Sequence, residues 1–242
     1  MIAILPGAIS RAIESEISSL PQAAVRQAAD ALSRAYRGQT AIRPSLSPVD
    51  RAAYLAVRFP STFAAANQVW RDAARMIPTG AIRTVLDVGA GPGTASLAAH
   101  EFLQPGTRYT CLERDRGWRE TAERLARTCG LDFEFRQAAI GPADQHDVVI
   151  ACYALGELGA HERTGAIDAL WNAAAAALIV VEPGTPRGFE TVQNARKKII
   201  ATGGHAAAPC GHDAPCPMSI DDWCHRPVRV ARSRLHRAAK QA

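Results

Sequence analysis

The sequence predicts an α/β protein: a parallel sheet covered by helices on both faces, with a helical segment ahead of it and a cysteine-rich extension behind it. Two observations carry this. Between Thr84 and Val181, short β-branched or apolar runs alternate with helical stretches, and that alternation calls for crossovers between parallel strands. The runs DVVIAC (Asp147–Cys152) and ALIVV (Ala177–Val181) are unbroken by polar side chains after their first residue, the pattern of strands buried on both faces. The expected segments are 1–78 (helical), 79–204 (the α/β domain) and 205–242 (a cysteine cluster and basic tail).

Each element has a local reason. Ile9, Ile13, Ile17 and Leu20, then Ala24, Ala28 and Leu32, recur at helical spacing, with Pro21 as a break. Ser47 ahead of Pro48 marks a new helix start. In its continuation Phe63, Val69, Trp70 and Met76 form a face that can pack on the next domain, and Pro78–Gly80 closes the segment. Strands are expected at Thr84–Val88, Arg108–Leu112 and, weakly, Phe133–Arg136, and helices at Thr94–Phe102 and Trp118–Thr128. The alanine-rich stretch Ala166–Ala176 reads as the helix between the last two strands.

The bulk composition excludes some classes. At 242 residues and 48% hydrophobic content the chain can bury a sizeable core. No apolar run approaches the roughly 18–20 residues needed to span a bilayer, so no membrane partner is expected. The start MIAILPGAIS has no basic region ahead of its short apolar run and is broken at Pro6–Gly7, which does not read as a signal peptide; the default expectation is a cytoplasmic protein. The net charge of +5 is mild, but beyond Cys224 the tail HRPVRVARSRLHRAAKQA contains five arginines, a lysine and no acid. It is either a solvated basic end or an arm contacting phosphate through Arg229, Arg232, Arg234 and Arg237.

Between the first strand and the following helix lies VLDVGAGPGT (Val85–Thr94), at the carboxyl end of the sheet where open α/β folds bind ligands. Glycines there let the backbone turn sharply and approach a ligand with no Cβ in the way. The dinucleotide fingerprint fails, because Thr94 stands where glycine or alanine is required, and no Gly-Lys-Ser/Thr supports a P-loop. The pattern D-x-G-x-G-x-G instead resembles motif I of Rossmann-like S-adenosylmethionine-dependent methyltransferases. The candidate cofactor residues are Asp87, Gly89, Ala90, Gly91 and Gly93. Glu113, ending the second strand, suits the ribose hydroxyls; it can equally be a surface carboxylate pairing with Arg114 or Arg116, and Asp115 is the fallback.

Tyr153, Glu157 and the Glu182–Gly184 turn should border the same cleft; Tyr153 can also be core and Glu157 a helix-start carboxylate. ACYALGEL lacks the Asn/Asp-Pro-Pro-aromatic motif usual in adenine and cytosine amino-methyltransferases, and no catalytic base is singled out.

Cys210, Cys216 and Cys224 stand in a C-x5-C-x7-C spacing with His212 and His225 interleaved. Thiolates at such spacing suit zinc or an iron–sulfur cluster, which usually takes four ligands. The fourth is open between His212, His225, an upstream cysteine, a partner and an exogenous group; clustering without a metal is the other reading. Cys111, Cys129 and Cys152 read as buried small hydrophobes.

Taken in order, RFPSTFAAA, VLDVGAGPGTAS, YALGEL, VVEPGTPRGF, APCGHDAPCP, DDWCH and RSRLHR resemble the mitochondrial small-ribosomal-subunit methyltransferase-like family, that of methyltransferase-like protein seventeen and its bacterial relatives labelled ribosomal RNA methyltransferases. The resemblance runs from about Pro48 to Lys240. It implies a Rossmann-like domain, S-adenosylmethionine, association with ribosomal RNA or the small ribosomal subunit, and in some members a four-cysteine [4Fe–4S] site. Carried over by position, Asp87, Gly89, Gly91 and Gly93 serve the nucleoside and Cys210, Cys216 and Cys224 the cluster. It also implies further strands and a fourth cluster cysteine beyond RSRLHR. Some members serve as assembly factors, which is the alternative to catalysis.

Overall fold

The computed structural model describes residues 2–36, 46–218, 222–231 and 233–240. Five strands, β2 (Thr84–Val88), β3 (Arg108–Leu112), β4 (Glu134–Arg136), β5 (His146–Cys152) and β6 (Ala174–Val181), form one parallel sheet in the order β4-β3-β2-β5-β6. The chain steps outward from β2 to β4, then returns to β2's other side with β5. That reversal creates a crevice at the carboxyl ends of the central strands, as in the doubly wound Rossmann-like fold. The Rossmann-like α/β fold expected from sequence is the one observed.

The continuous apolar runs are explained by two cores. Val85, Tyr109, Cys111, Val148 and Ile150 point to one face, where they join buried residues of the N-terminal helices. Leu86, Val88, Leu112, Val149 and Ala151 point to the other, against Ile167, Leu170 and Ala195. The last three belong to α7 (Ala160–Ala173) and α8 (Pro186–Ala201). Period-two alternation is present, but both alternating sets are apolar because both faces are covered.

The N-terminal segment folds as α1 (Gly7–Ser18), α2 (Gln22–Tyr36), α3 (Pro48–Val57) and α4 (Phe59–Ala73). Pro21 separates the first pair. Ser47 caps α3 in a capping box with Asp50, its Oγ accepting the Asp50 amide while the Asp50 carboxylate accepts the Ser47 amide. Pro60 lies in the first turn of α4, where its missing N–H costs nothing. α4 packs on α5 (Thr94–His100), and α1 on α6 (Arg116–Thr128), where Arg124 donates two hydrogen bonds of 2.8 Å to the Glu16 carboxylate. Phe63 and Trp70 are buried as expected, whereas Met76 lies past the end of α4 and is exposed.

One expectation needs correction. The alanine-rich helix stops at Ala173, and Ala174–Ala176 begin β6. Alanine's helix preference is worth only tenths of a kcal/mol per residue, and pairing of His146 with Ala174 at the start of a long parallel ladder overrides it. The basic tail does not stand apart. β7 (Arg229–Val230) pairs in parallel with β1 (Ile2–Ala3), the Ala231 amide donates to the Ala3 carbonyl at 2.9 Å, and α9 (Arg234–Lys240) packs on α2 and α3. Segments 1–78 and 205–242 therefore meet.

Candidate functional site

The glycine-rich loop leaves β2 at Val88 and enters α5 at Thr94. Gly89, Gly91 and Gly93 all have positive φ (67°, 53° and 74°), a region closed to most side chains. They serve different ends. A Cβ on Gly89 would stand 2.7 Å from the Ala154 Cβ, so this glycine lets the loop pack against the turn after β5. A Cβ on Gly91 would meet nothing within 4 Å, so Gly91 is the open position of the loop. Ala90 is buried, its amide donating to the Leu112 carbonyl at 3.0 Å.

Two carboxylates hold this loop from below and from the side. Asp87 is almost fully buried, and its Oδ2 accepts the Ser96 amide (3.1 Å) and the Ser96 hydroxyl (2.8 Å). Burial outweighs these bonds and pushes its pKa up to about 6. Glu113, also buried, accepts the Gly91 amide on Oε2 and the Asp115 amide on Oε1, each at 2.8 Å. It is therefore not paired with Arg114 or Arg116 as a surface carboxylate would be; Arg116 pairs with Glu120. Asp115, the fallback, is committed as the N-cap of α6, accepting the Trp118 amide at 2.8 Å. Each oxygen of Glu113 keeps a further lone pair, so the carboxylate can accept ribose hydroxyls without releasing the loop.

These residues fit S-adenosylmethionine. The open face at Gly91 admits a ligand that a side chain would exclude, and a buried carboxylate flanks it at the end of the adjacent strand. The Thr94 hydroxyl is buried beside the loop with no hydrogen-bond partner among the described residues.

The other rim is built from the turns after β5 and β6. Tyr153 has φ of 59° and donates its amide to the Val181 carbonyl at 2.7 Å. Its hydroxyl is held protonated well above the usual tyrosine range by burial. The Glu182 carboxylate accepts the Gly156 amide at 3.1 Å and ties the two turns together. Glu157 and Glu182 are both raised above the usual carboxylate range, chiefly by loss of water. Arg187 donates to the Gly156 carbonyl at 2.8 Å across the same rim.

The cysteine loop has a different shape from the one expected. Cys210 and Cys224 are exposed and Cys216 half-buried. Among the described residues no three histidine, cysteine or acidic side chains converge as a metal site would need. The residues present therefore do not fit a cluster or zinc in this arrangement, and no chemistry is derived through one. Protein contacts shape the loop instead. Arg196 donates to the carbonyls of His212 and Ala214, and Asp213 accepts the Ala206 amide at 2.9 Å while facing His205 Nδ1 at 2.7 Å.

Of the tail arginines, Arg229 is exposed on β7 and Arg237 exposed on α9, while Arg234 begins α9. Arg232 lies outside the described residues. Sequence reasoning missed Ser96, Ala154 and Arg196, whose partners lie 9 to 65 positions away along the chain. Only Ser96, on the first turn of α5, carried a local signal.

The family model described as "Mitochondrial small ribosomal subunit Rsm22" matches residues 48–242. The chain belongs to the Rsm22 family. The human relative, "Ribosome assembly protein METTL17, mitochondrial", is 30% identical over 190 residues, covering 71% of this chain and 42% of that protein. "Rsm22-cox11 tandem protein 2, mitochondrial" of Schizosaccharomyces pombe is 24% identical over 159 residues, covering 57% of this chain and 21% of that protein. This Rsm22-family chain thus spans less than half the length of the curated relatives it matches. Among solved structures, a SAM dependent methyltransferase from Aquifex aeolicus is 16% identical with a TM-score of 0.46, covering 57% of this chain and 73% of that one. The plantazolicin methyltransferase BpumL, in complex with SAH, is 13% identical with a TM-score of 0.45, covering 81% and 67%. The cytoplasmic expectation is corrected by the Rsm22 relatives, which bear mitochondrial names. That expectation rested on the lack of a secretory pattern, which carries no information about an organelle.

Proposed function

We propose that this chain binds S-adenosylmethionine on Gly89–Gly93 and Glu113 and acts on the RNA of a mitochondrial-type small ribosomal subunit as a methyltransferase. The observation that carries the reading is the loop itself: three left-handed glycines at the sheet's crevice, with the Gly91 amide fixed on Glu113. The family description supports the ribosomal assignment.

When bound, the donor supplies an electrophilic methyl group on a sulfonium sulfur. The chain's own part is positioning. Glu113 orients the ribose, Gly91 admits the ligand to the backbone, and the Tyr153 and Glu182 turns form the wall facing the acceptor. The arginine tail contributes charge for phosphate, with Arg229 and Arg237 exposed toward solvent.

A second reading has specific support. The human relative is named an assembly protein, and ACYALGEL lacks the amino-methylation motif, so the pocket can serve a non-catalytic assembly factor. Incubation of donor bearing a labelled methyl group with immature small subunits separates the two. Label in RNA supports the enzyme; donor binding with no transfer to any RNA supports assembly.

Donor binding is tested first by calorimetry. The wild type is expected to bind at micromolar concentration, and Glu113→Ala to bind at least tenfold more weakly, since it removes both the ribose acceptor and the anchor of Gly91. No heat at millimolar donor rejects the pocket. For the tail, replacing Arg229, Arg232, Arg234 and Arg237 with alanine is expected to flatten the salt dependence of RNA binding by about three units of log–log slope. An unchanged slope assigns those arginines to the solvated surface.

A further inference from the structure

Trp223 is one of three large hydrophobic residues left exposed among the described residues, at 37%. A single exposed apolar side chain needs no explanation. Trp223, however, is held in place. Its indole N–H donates to the Gly184 carbonyl at 3.2 Å, and the His225 ring lies 6.4 Å away at 28°, roughly parallel to it. His225 in turn sits directly over Gly184, where a Cβ would come within 2.9 Å of it. The glycine is what allows this close seat.

The location matters as much as the fixation. Gly184 belongs to the turn after β6, and Cys152 pairs with Val181 while Val88 pairs with Ala151, so the strand ends are level. Two strand spacings separate β2 from β6, which puts the turn roughly 10 Å from the glycine loop on the same edge of the sheet. The glycine loop and a rim that carries a held aromatic surface thus border the same crevice. The surroundings select the kind of ligand. Asp222 is the last acidic residue of the chain, and the segment after it is uniformly basic. Arg226, next to His225, is exposed and paired with Asp72, and Arg187 lies in the first turn of α8, donating to the Gly156 carbonyl. A fixed aromatic ring bordered by arginines suits an unpaired nucleic-acid base stacked on the ring with its phosphates on the cations. An acidic protein surface would use the cations but not the ring.

We propose that Trp223, backed by His225, is a stacking platform for an unpaired RNA base at the rim of the donor cleft. This rests on the ribosomal RNA reading above for the identity of the strand, and on the geometry of the rim for its position. Trp223 is a positioning residue, its indole N–H spent on the Gly184 carbonyl.

The test uses the full chain, a fluorescein-labelled single-stranded RNA of about twelve mixed nucleotides, and the same strand annealed to its complement. Trp223→Ala is expected to weaken single-strand binding about tenfold, within the range for loss of one stacked base. Trp223→Phe is expected to restore most of it, and duplex binding should change by less than twofold in either variant. Donor affinity by calorimetry should be the same in all three proteins. If the wild type binds RNA but no donor, the donor reading fails and the platform stands. Trp223→Ala with wild-type affinity for the single strand overturns the platform. So does a wild type that binds no RNA at all. Unchanged RNA affinity together with lost co-sedimentation on purified small subunits also overturns it, and assigns Trp223 to a protein contact.

Discussion

Gly89→Ala is expected to lower stability by on the order of 2–4 kcal/mol and to abolish donor binding, whereas Gly91→Ala abolishes donor binding at a cost of only about 1–2 kcal/mol. Both positions have positive φ, so both variants carry the left-handed penalty. They differ in what the new methyl meets. At Gly89 it stands 2.7 Å from the Ala154 Cβ, which is buried and cannot swing aside, so either β2 or the turn after β5 must shift. At Gly91 it meets nothing within 4 Å. Thermal unfolding and calorimetry on both variants check this. In a chain of this size each kcal/mol moves the midpoint by about 2–4 °C. Equal midpoints for the two variants would show that the loop does not pack on Ala154.

Asp87→Asn is expected to stabilise the protein in a pH-dependent way. The native carboxyl titrates near 6 against a usual 3.8, so the folded state holds this proton more tightly than the unfolded chain. Ionising Asp87 therefore costs stability. The cost is absent below pH 4, grows between 4 and 6, and is complete above 6, where it amounts to about 3 kcal/mol. Asparagine keeps an oxygen for the Ser96 amide and hydroxyl without the buried charge. Denaturant unfolding across pH 4–8 should show the advantage of the variant opening through that window. A difference independent of pH would mean that Asp87 titrates alike in the folded and unfolded chains, so that burial does not raise its pKa.

What could be read from the residues was what is local. Although the break between α3 and α4 beside Pro60 reads as one continuing helix, Ser47 and Pro21 start and end helices through effects within four positions of themselves, and strands such as Asp147–Cys152 declare their burial in their own composition. The glycine loop was legible for the same reason: its backbone needs are written at the positions that meet them. Long-range partners were not. Nothing near Glu113 says that it will close on Gly91, and nothing in the tail says that α9 will lie against α2 and α3. The cysteine spacing suggested convergence, yet spacing fixes only how far apart ligands can be. In the fold, Arg196 and Asp213 set the loop's path, and the three thiols point to no common centre. Alanine was the least informative residue, since Ala173 ends a helix and Ala174 opens a strand.

The pairing of β1 with β7 also bears on how the molecule comes into being. Ile2 lies opposite Arg229, so the partner of this residue is made 227 positions after it. Meanwhile α1 to α4 carry an apolar face whose counterpart, the Val85, Val148 and Ile150 side of the sheet, emerges only as β2 and β5 are made. Closure over so long a separation is entropically late and slow. Until those strands are paired, the helical layer leaves that apolar face uncovered, the kind of surface that makes a folding intermediate prone to aggregate.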